Sequence, residues 1–404
     1  MEKKKRGFWR WLIASVMLRL ILIYLPKTFN LASRPEISTP LVSLRRLAEG
    51  YWLKKSSMSP YAGSMYHGSP LLLSLLGPLT VKRIEGQPDH LLCSLVFVIA
   101  DIISALLIRA TGHTLQMAYR QSLNSLDIVD LLKSSDSLSS GDVAALVYLW
   151  NPFTIAACVG LSTSPVENLV VILALHGACK ARFGGWVKTI APWKTSSSGS
   201  VWMGYGDTLV SLSCNPNNSS DSFVGICISV KPHGSLWEMF QRTYGFILTV
   251  EDMSPNIGVL WYFFAEVFDF FRSFFMIVFH LNILFMILPL AIRLKHRPCF
   301  LAFIYIAISS MLKSYPSGLF LDELADMQFS FFLLCGYIGV SLLSPVMHNL
   351  WIWRGTGNAN FYYATGMAYA CLQIILVVES VSAVLNHDRK LRKLSVTKLR
   401  DGNS

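Results

Sequence analysis

The chain has 404 residues, of which 53% are hydrophobic and only 15% are charged. Soluble globular proteins carry about a quarter of their residues as charged side chains, so this composition excludes an ordinary soluble fold, intrinsic disorder and a coiled coil. The net charge is +11, from 35 Lys and Arg against 24 Asp and Glu. Because the basic residues cluster beside apolar runs, they indicate membrane topology and exclude nucleic acid as a partner.

Apolar runs recur along the whole chain. An α-helix of about 20 apolar residues crosses the ~30 Å hydrocarbon core of a bilayer. The runs therefore predict an all-α polytopic membrane protein, with residues 1–404 forming one multi-span helical bundle. A shorter run at 69–81 indicates a re-entrant or interfacial helix. The predicted spans cover residues 8–25, 89–110, 143–162, 164–180, 271–292, 298–312, 328–347 and 360–386.

Basic residues predict the direction of the spans. Five Lys and Arg lie in residues 1–10, which indicates an uncleaved signal anchor with a cytosolic N-terminus. The basic tail 387–404 is predicted to be cytosolic as well. Placing the basic segment 293–297 in the cytosol requires one further crossing between 181 and 270 and another between 313 and 327. We therefore expect roughly 8–10 crossings.

The first loop, residues 26–68, is predicted to be lumenal. Within it Leu44 and Leu47 follow helical spacing, and Arg45 and Arg46 lie on another side of the same helix. This pattern is typical of an interfacial helix whose basic side chains point toward lipid head groups.

Two stretches are hydrophilic at positions where the charge pattern requires a membrane-spanning helix. Residues 184–236 are rich in Ser, Gly and Asn, and residues 317–327 are short and acidic. We interpret 184–236 as an aberrant hydrophilic stretch.

Several long, irregular segments carry a resemblance to a known family. They closely resemble the class U family of phosphatidylinositol-glycan anchor biosynthesis (PIG-U), whose members are membrane subunits of the GPI transamidase. The segments are SPYAGSMYHGSPLL (59–72), YLWNPFTI (148–155), YGFILTVEDMSPNIGVLWYFFAEVF (244–268), LPLAIRLKHRP (288–298), LKSYPS (312–317) and MHNLWIWRGTGNANFYYA (347–364).

The resemblance implies a bundle similar to the membrane glycosyltransferases that use lipid-linked sugars, the GT-C-like fold. It implies a non-catalytic, multi-pass subunit in the endoplasmic reticulum membrane. Its partners would be the GPI glycolipid, the membrane and the other transamidase subunits, including a Cys-protease-like subunit that supplies the catalytic Cys–His pair. The family has hydrophobic helices where this chain has 184–236 and 317–327, so both stretches are interpreted as lost helices.

Chemistry within the chain itself is predicted to be absent. His90 and Cys93 share a helical face, but packing at the start of a span explains them better than a nucleophile and base. No disulfide framework, metal or cofactor is expected from the eight scattered Cys.

Two other functions remain open at this point. A dolichol-phosphate-sugar-dependent glycosyltransferase would want an acidic pair in the first lumenal loop, and 26–68 holds only Glu36 and Glu49. A membrane transporter would use ionisable groups within spans, such as Asp101, Glu167 and Glu266, yet no inverted repeat is evident.

The segment 351–363 (WIWRGTGNANFYY) is the candidate GPI-lipid site. Its aromatic side chains suit the membrane interface, its glycines permit close backbone approach, and its amide and guanidinium groups can bind sugar or phosphate. The alternative is a Gly/Asn turn between two spans, or a snorkelling Lys for the second segment, 313–315. The candidate residues are Asn358, Asn360, Arg354 and Tyr362, with Lys313 and Tyr315 from that segment.

An aromatic-rich helix is expected just before the span 271–292. Pro255 and Asn256 are predicted to start it, and Trp261 and its neighbours are predicted to pack against other subunits or lipid.

Overall fold

The computed structural model describes residues 2–24, 34, 37–80, 83–84, 87–88, 90–125, 140–189, 236–295, 297–312 and 330–401. The predicted stretch 317–327 and most of 184–236 lie outside these residues. Within them the regular structure is helical, apart from one short hairpin in which β1 (Arg83–Ile84) pairs antiparallel with β2 (Gln87–Pro88). Helices suit a chain of this composition, because they satisfy every backbone polar group without water.

The helices fall into two groups along the chain. The first group is α1 (Glu2–Tyr24), α2 (Leu44–Lys55), α3 (Pro70–Leu76, continued by a 3-10 turn at Gly77–Thr80), α4 (His90–Ser125), α5 (Ser140–Trp150), α6 (Pro152–Val159) and α7 (Ser164–Thr189). The second group is α8 (Leu236–Phe240), α9 (Phe246–Thr249), α10 (Leu260–Glu266), α11 (Asp269–Leu294), α12 (Pro298–Met311), α13 (Ser330–His348) and α14 (Ala359–Asp401). A π-helical turn joins α8 to α9 (Gln241–Gly245), and another follows α13 (Asn349–Trp353).

A helix occupies each of the eight predicted runs. Among the described residues, four helices are long and apolar enough to cross a membrane, and α5 with α6 makes a fifth if the bent pair is one span. The run at 69–81 is a short apolar helix, as predicted, and α12 is short as well. The four spans are Gly7–Tyr24, Leu91–Gln121, Phe270–Leu294 and Ala359–Lys390.

The predicted span 143–162 differs from the structure because it is broken in the middle. Helix α5 ends at Trp150, α6 starts at Pro152, and their axes are bent by 51°. The side-chain oxygen of Asn151 accepts a hydrogen bond from the backbone N–H of Phe153 at 2.9 Å, so Asn151 caps α6. Proline has no N–H to continue the ladder of α5, and the two residues together stop one helix and start the next.

Helices of the first group share a buried core. Leu47 of α2, Leu73 of α3, Phe97 of α4 and Cys158 of α6 all belong to one cluster. Helices α4 and α5 approach closely, since a Cβ at Gly112 would lie 2.5 Å from the Cα of Gly141. The first group is therefore held together around α4.

The second group is assembled on α14. Tyr369 of α14 packs on Tyr337 of α13 with ring centroids 5.6 Å apart, and it also meets Phe153 of α6 at 5.8 Å. Leu294 and Ile304 are buried together against α14 further along the same helix. Phe153 thus joins the two groups.

One end of the molecule, the basic end, gathers the first turns of α1, the last half of α4 and the tail of α14. The Arg109 guanidinium lies 4.3 Å over the Phe8 ring, and the Tyr119 hydroxyl lies 2.8 Å from Nε2 of His387. Arg297 donates to Asp388 at 2.7 Å. The opposite end, the aromatic end, carries the contacts of the first loop, α8–α10 and the turn before α14, described below.

Candidate functional site

A buried ion pair lies inside the first group of helices. Arg19 of α1 donates from Nε to Oδ2 of Asp101 in α4 at 3.2 Å, and both side chains are only 1% exposed. The Tyr148 hydroxyl donates to the other Asp101 oxygen at 2.9 Å. Asp101 is therefore hydrogen-bonded on both oxygens, as a buried carboxylate must be to offset its desolvation.

The Arg19 guanidinium also donates hydrogen bonds at the break between α5 and α6. Arg19 and Ser15 both donate to the Leu149 carbonyl, at 2.8 and 3.0 Å. Thr154 donates to the Tyr148 carbonyl at 2.8 Å and accepts from Arg19 at 3.3 Å. A helix end leaves its last carbonyls without partners, and these groups supply the missing donors.

At the aromatic end, α2 contacts the chain that precedes α10. Its apolar side is buried on protein through Leu44 and Leu47, while Arg46 donates to Asp252 at 3.2 Å. Ser59 likewise donates to Glu238 at 3.2 Å. The predicted helix in the first loop is present, and these contacts tie it to residues about 200 positions later.

His67 is a buried polar residue of that contact. Its ring stacks on Phe246 with centroids 3.6 Å apart. Nδ1 lies 2.8 Å from the Arg242 carbonyl and Nε2 lies 3.2 Å from the Ser64 carbonyl. Burial lowers the pKa of His67 below its ordinary value, and the two carbonyls oppose that shift more weakly. Burial therefore favours the neutral imidazole, whose single N–H can donate to one of the two carbonyls.

An aromatic cluster, defined by Trp261, Trp351, Tyr362 and Tyr363, joins α10 to the start of α14. Trp261 is 4% exposed and its ring stacks on Trp351 at 6.1 Å and contacts Tyr362 at 6.0 Å. Its indole N–H makes no hydrogen bond within the described chain. Rings at these separations stabilise a contact beyond their buried area, so the cluster fixes the turn against α10.

The turn itself is shaped by two glycines and an asparagine. Gly355 has φ +63, a left-handed value that favours glycine, and Gly357 donates its N–H to the Leu350 carbonyl at 3.2 Å. Asn358 accepts the backbone N–H of Phe361 at 3.1 Å and so caps α14. Part of the alternative explanation, a Gly/Asn turn between two helices, is thus present in the structure.

The predicted site residues are partly brought together. Asn360 accepts a hydrogen bond from the Tyr262 hydroxyl, and its side chain is exposed like that of Arg354. Tyr362 is buried, 1% exposed, with its ring 5.2 Å from His348. Lys313 and Tyr315 lie outside the described residues.

The prediction that Pro255 and Asn256 start a helix was wrong. Residues 251–259 have no regular structure and α10 begins at Leu260. Asn256 accepts from the Gly258 N–H at 2.8 Å and donates to the Ser254 carbonyl at 3.1 Å. These local hydrogen bonds compete with the helix, and they move its start four residues along the chain.

Sequence reasoning also missed two partners. Asp101 stood out as an ionisable group in a span, but Arg19, the charge opposite to it, is 82 residues away and was not paired with it. Trp261 was expected to face other subunits or lipid, yet it packs inside the chain on Trp351. The charges of opposite sign in two apolar runs were the signal that could have paired Arg19 with Asp101.

The aromatic end exposes groups that can bind a ligand. The described residues hold no group of three or more His, Cys, Asp and Glu side chains able to bind a metal ion. The exposed amide of Asn360 and the guanidinium of Arg354 provide hydrogen-bond donors beside exposed apolar rings such as Phe361 and Trp353. Polar donors next to apolar rings suit a ligand that is part lipid and part head group.

Comparison with known proteins places the chain in a family. The model of the family described as GPI transamidase subunit PIG-U matches residues 13–200 and 222–369. The chain belongs to the PIG-U family. The matched residues include α1 from Ile13 onward, α2 to α13, and the candidate lipid site at 351–363.

Individual relatives agree with the PIG-U assignment. The chain is 30% identical to the GPI-anchor transamidase component PIGU of Mus musculus, over 93% of each chain. It is 30% identical to the protein of the same name from Homo sapiens, again over 93% of each. The GPI transamidase component GAB1 of Saccharomyces cerevisiae is 26% identical, over 87% of this chain and 86% of that protein.

Proposed function

We propose that this chain, a component of the GPI-anchor transamidase, is a non-catalytic subunit that helps to recognise the GPI lipid and to hold the complex together. The observation that carries the proposal is that the Arg354 and Asn360 side chains are exposed in the turn whose aromatic residues pack in the cluster. The cluster gives rigid support, and the exposed groups offer donors to a phosphate or sugar. The Cys–His pair for the transfer is supplied by another subunit.

The proposed topology puts this site in the lumen of the endoplasmic reticulum. The basic N-terminal helix and the basic tail lie at the same end, through the contacts of Phe8 with Arg109 and of Tyr119 with His387. By the positive-inside rule that end is cytosolic, and the aromatic end is then lumenal. We propose eight to ten crossings in a GT-C-like bundle, with the additional ones between 181 and 270 and between 313 and 327.

The contacts of α7 support the additional membrane crossing between residues 181 and 270. Helices α4 and α7 run parallel, because Cys93 clusters with Val166 and Thr111 lies 2.9 Å from His176. The last turn of α7 therefore lies at the basic end. Met239 of α8 belongs to the cluster of Cys93, at the other end of α4.

Asp101 favours the subunit proposal over a transporter. Arg19 and Tyr148 occupy both oxygens of Asp101, and the residue is 1% exposed. A carboxylate that carries ions must exchange partners, whereas this one is closed in by the donors that also serve the broken helix. For a sugar transferase, Glu49 is the described acid of the first loop, and it packs beside Gly63.

The decisive experiment changes the donor at Asn360 and keeps the fold. Asn360→Asp retains an oxygen to accept the Tyr262 hydroxyl, but it removes the amide donor and adds a negative charge that repels phosphate. In cells lacking their own copy, we expect this variant to lower surface display of GPI-anchored proteins about tenfold or more, consistent with loss of a charge-assisted contact. Co-purification of the other subunits should persist.

A matched control is Asn349→Asp, the same chemical change in the turn after α13. It should leave surface display unchanged. Normal display with Asn360→Asp and with Arg354→Ala would overturn the lipid-recognition proposal. Transfer of sugar from a dolichol donor by the purified chain alone would overturn the non-catalytic assignment.

A further inference from the structure

Helix α11 is the least covered membrane-length helix among the described residues. From Phe270 to Arg293 no side chain is buried. One edge of the helix contacts α10, where Phe263 meets Phe275 at 5.1 Å and Phe279 at 5.3 Å. Near its other end, Tyr305 of α12 donates to the Ile287 carbonyl, and Leu290 packs on the cluster of Leu294. The remaining surface of α11 is exposed and mostly apolar.

Asn282 is an exposed polar residue on that surface, and it lies at the middle of the helix. The apolar part of α11 lies between Arg272, which donates to the Val250 carbonyl at 2.6 Å, and Arg293. Residues 273–292 between them are about 30 Å long at ~1.5 Å per residue, so Asn282 is about 15 Å from either end. Its side chain is exposed and has no hydrogen-bond partner in the described part of the chain.

The side of α11 that carries Asn282 is exposed along the length of the helix. Asn282 shares a stripe with Phe271, Val278, Phe285 and Ile292, which recur every seven residues and are all exposed. Residues seven apart lie on one side of an α-helix, and a second helix that packs along α11 would contact such a row. Such a stripe continues across the bilayer, and the amide sits at its centre.

The outer side of α4 provides the contrast. Its exposed row Leu91, Leu95, Ile99 and Ile103 is purely apolar. On α11 itself, the side that carries Ile277 and Leu284 also holds the exposed Ser273 near one end and the half-buried His280, whose Nδ1 lies 2.6 Å from the Met276 carbonyl.

We infer that the stripe around Asn282 docks a membrane-spanning helix of another transamidase subunit. That helix presents an amide, hydroxyl or carboxyl group to Asn282 near the middle of the bilayer. A side-chain amide in hydrocarbon is costly, and helix association in membranes uses such groups as interhelical hydrogen-bond partners. The inference rests on the chain being a component of a complex.

A lipid is a poorer occupant for a geometric reason. The head group of a glycolipid lies at the membrane interface, whereas Asn282 is about 15 Å from either end of the apolar run. At that depth a lipid offers only CH₂ groups, which cannot accept or donate to the amide. The partner must therefore carry a polar group into the hydrocarbon core.

The test places a photo-crosslinking amino acid at Phe285, beside Asn282, and at Leu284 on the far side. The full chain is expressed with its complex, irradiated in membranes and analysed by mass spectrometry. We expect position 285 to link to the membrane-spanning segment of another transamidase subunit, and position 284 to link to lipid. A link from 285 to GPI lipid, to residues 190–235 of the same chain or to a second tagged copy would overturn the inference, as would equal labelling at both positions.

Variants at Asn282 measure the contribution of the amide. Asn282→Leu makes the helix more apolar, so insertion is retained, and it should weaken recovery of the linked subunit on detergent titration about threefold to twentyfold. Asn282→Gln should restore recovery, and Leu284→Val should have no effect. Unchanged recovery with Asn282→Leu would contradict the role of the amide.

The lipid-site variants separate this inference from the proposed function. Asn360→Asp should lower surface display and leave subunit recovery intact, whereas Asn282→Leu should first lower recovery. If the lipid-site variant has no effect and the crosslink is found, the docking surface stands without the lipid site.

Discussion

The two groups of helices are stabilised by different forces. The first group encloses a hydrogen-bonded ion pair, Arg19 with Asp101, that connects α1 and α4 and reaches α5 and α6. The second group relies on ring contacts around Trp261 and Tyr369, and its helix α11 has no buried residue from Phe270 to Arg293. The buried charges of the first group are therefore paired within the chain, while α11 of the second group leaves nearly its whole length for something else to cover.

This contrast is consistent with the proposed subunit, in which the first group stabilises the fold and the second group contacts the lipid and other subunits. Buried charges fix which helices meet, because a wrong neighbour would leave a charge without a partner. Aromatic contacts hold α10 and the turn before α14 in place but leave their outer sides open. The candidate lipid site and the proposed docking stripe both belong to the second group.

The largest expected effect tests the first group. Arg19→Met removes the guanidinium and leaves Asp101 buried without its charge partner, which should destabilise the bundle by about 3–5 kcal/mol. Thermal unfolding of the detergent-solubilised chain, followed by loss of the monodisperse peak, measures the change. Arg10→Met, an exposed residue of the same helix, is the matched control and should leave the unfolding temperature unchanged.

The double variant sharpens that test. Arg19→Met with Asp101→Leu removes both charges, and it should be more stable than either single variant because no unpaired charge remains. A double variant as unstable as the sum of the singles would show that the pair does not couple, and the contrast between the two groups would fail.

A smaller effect is expected in the aromatic cluster. Trp261→Leu removes ring contacts with Trp351 and Tyr362, worth about 2 kcal/mol together at 0.5–1.5 kcal/mol each. The near-ultraviolet circular dichroism signal should fall along with the unfolding temperature. Trp353→Leu is the control, since that ring is 67% exposed. Equal effects of both changes would show that the cluster does not fix the turn.

The cap of α14 contributes less. Asn358→Ala removes the acceptor for the Phe361 N–H and should cost about 1 kcal/mol, whereas Asn358→Ser keeps an acceptor and should cost only a few tenths. Thermal unfolding separates the two variants. If Asn358→Ser lowers surface display of anchored proteins without lowering stability, Asn358 binds ligand as well as capping the helix.

The smallest expected effect is a pH dependence at the contact between the groups. Because the pKa of folded His67 lies below its ordinary value of 6.5, the unfolded chain takes up the proton first as the pH falls. The stabilisation by His67 is complete above about pH 6.5 and is lost progressively below it. Unfolding temperatures measured between pH 8 and 5 should show this loss, and His67→Gln should remove its share of the slope.

The helices were predictable from the sequence, and their partners were not. Hydropathy alone located all eight long runs, since apolar length is a local property. The pairing of Arg46 with Asp252 joins residues 206 positions apart, and no local pattern encodes it. The start of α10 was misjudged because Asn256 bonds to its own neighbours rather than capping a helix at once.

The break between α5 and α6 could have been predicted from the sequence, but it was not. The sequence Asn151–Pro152 carries both signals of a helix start, a side-chain cap and a proline in the first turn, inside a run taken as continuous. For the candidate site, the sequence located the turn between α13 and α14 and the polar groups proposed to bind. It could not show that Asn358 is occupied as a cap while Asn360 remains exposed.

The break at Asn151 has a consequence for the first helix. Since Ser15 and Arg19 donate to the Leu149 carbonyl, α1 completes the hydrogen bonding of a helix more than a hundred residues away. A signal-anchor helix from another protein, of equal length and hydrophobicity, would still insert the chain into the membrane. The Leu149 carbonyl oxygen would then have lost both of these side-chain donors. The chimeric protein would therefore be targeted correctly but would not fold correctly.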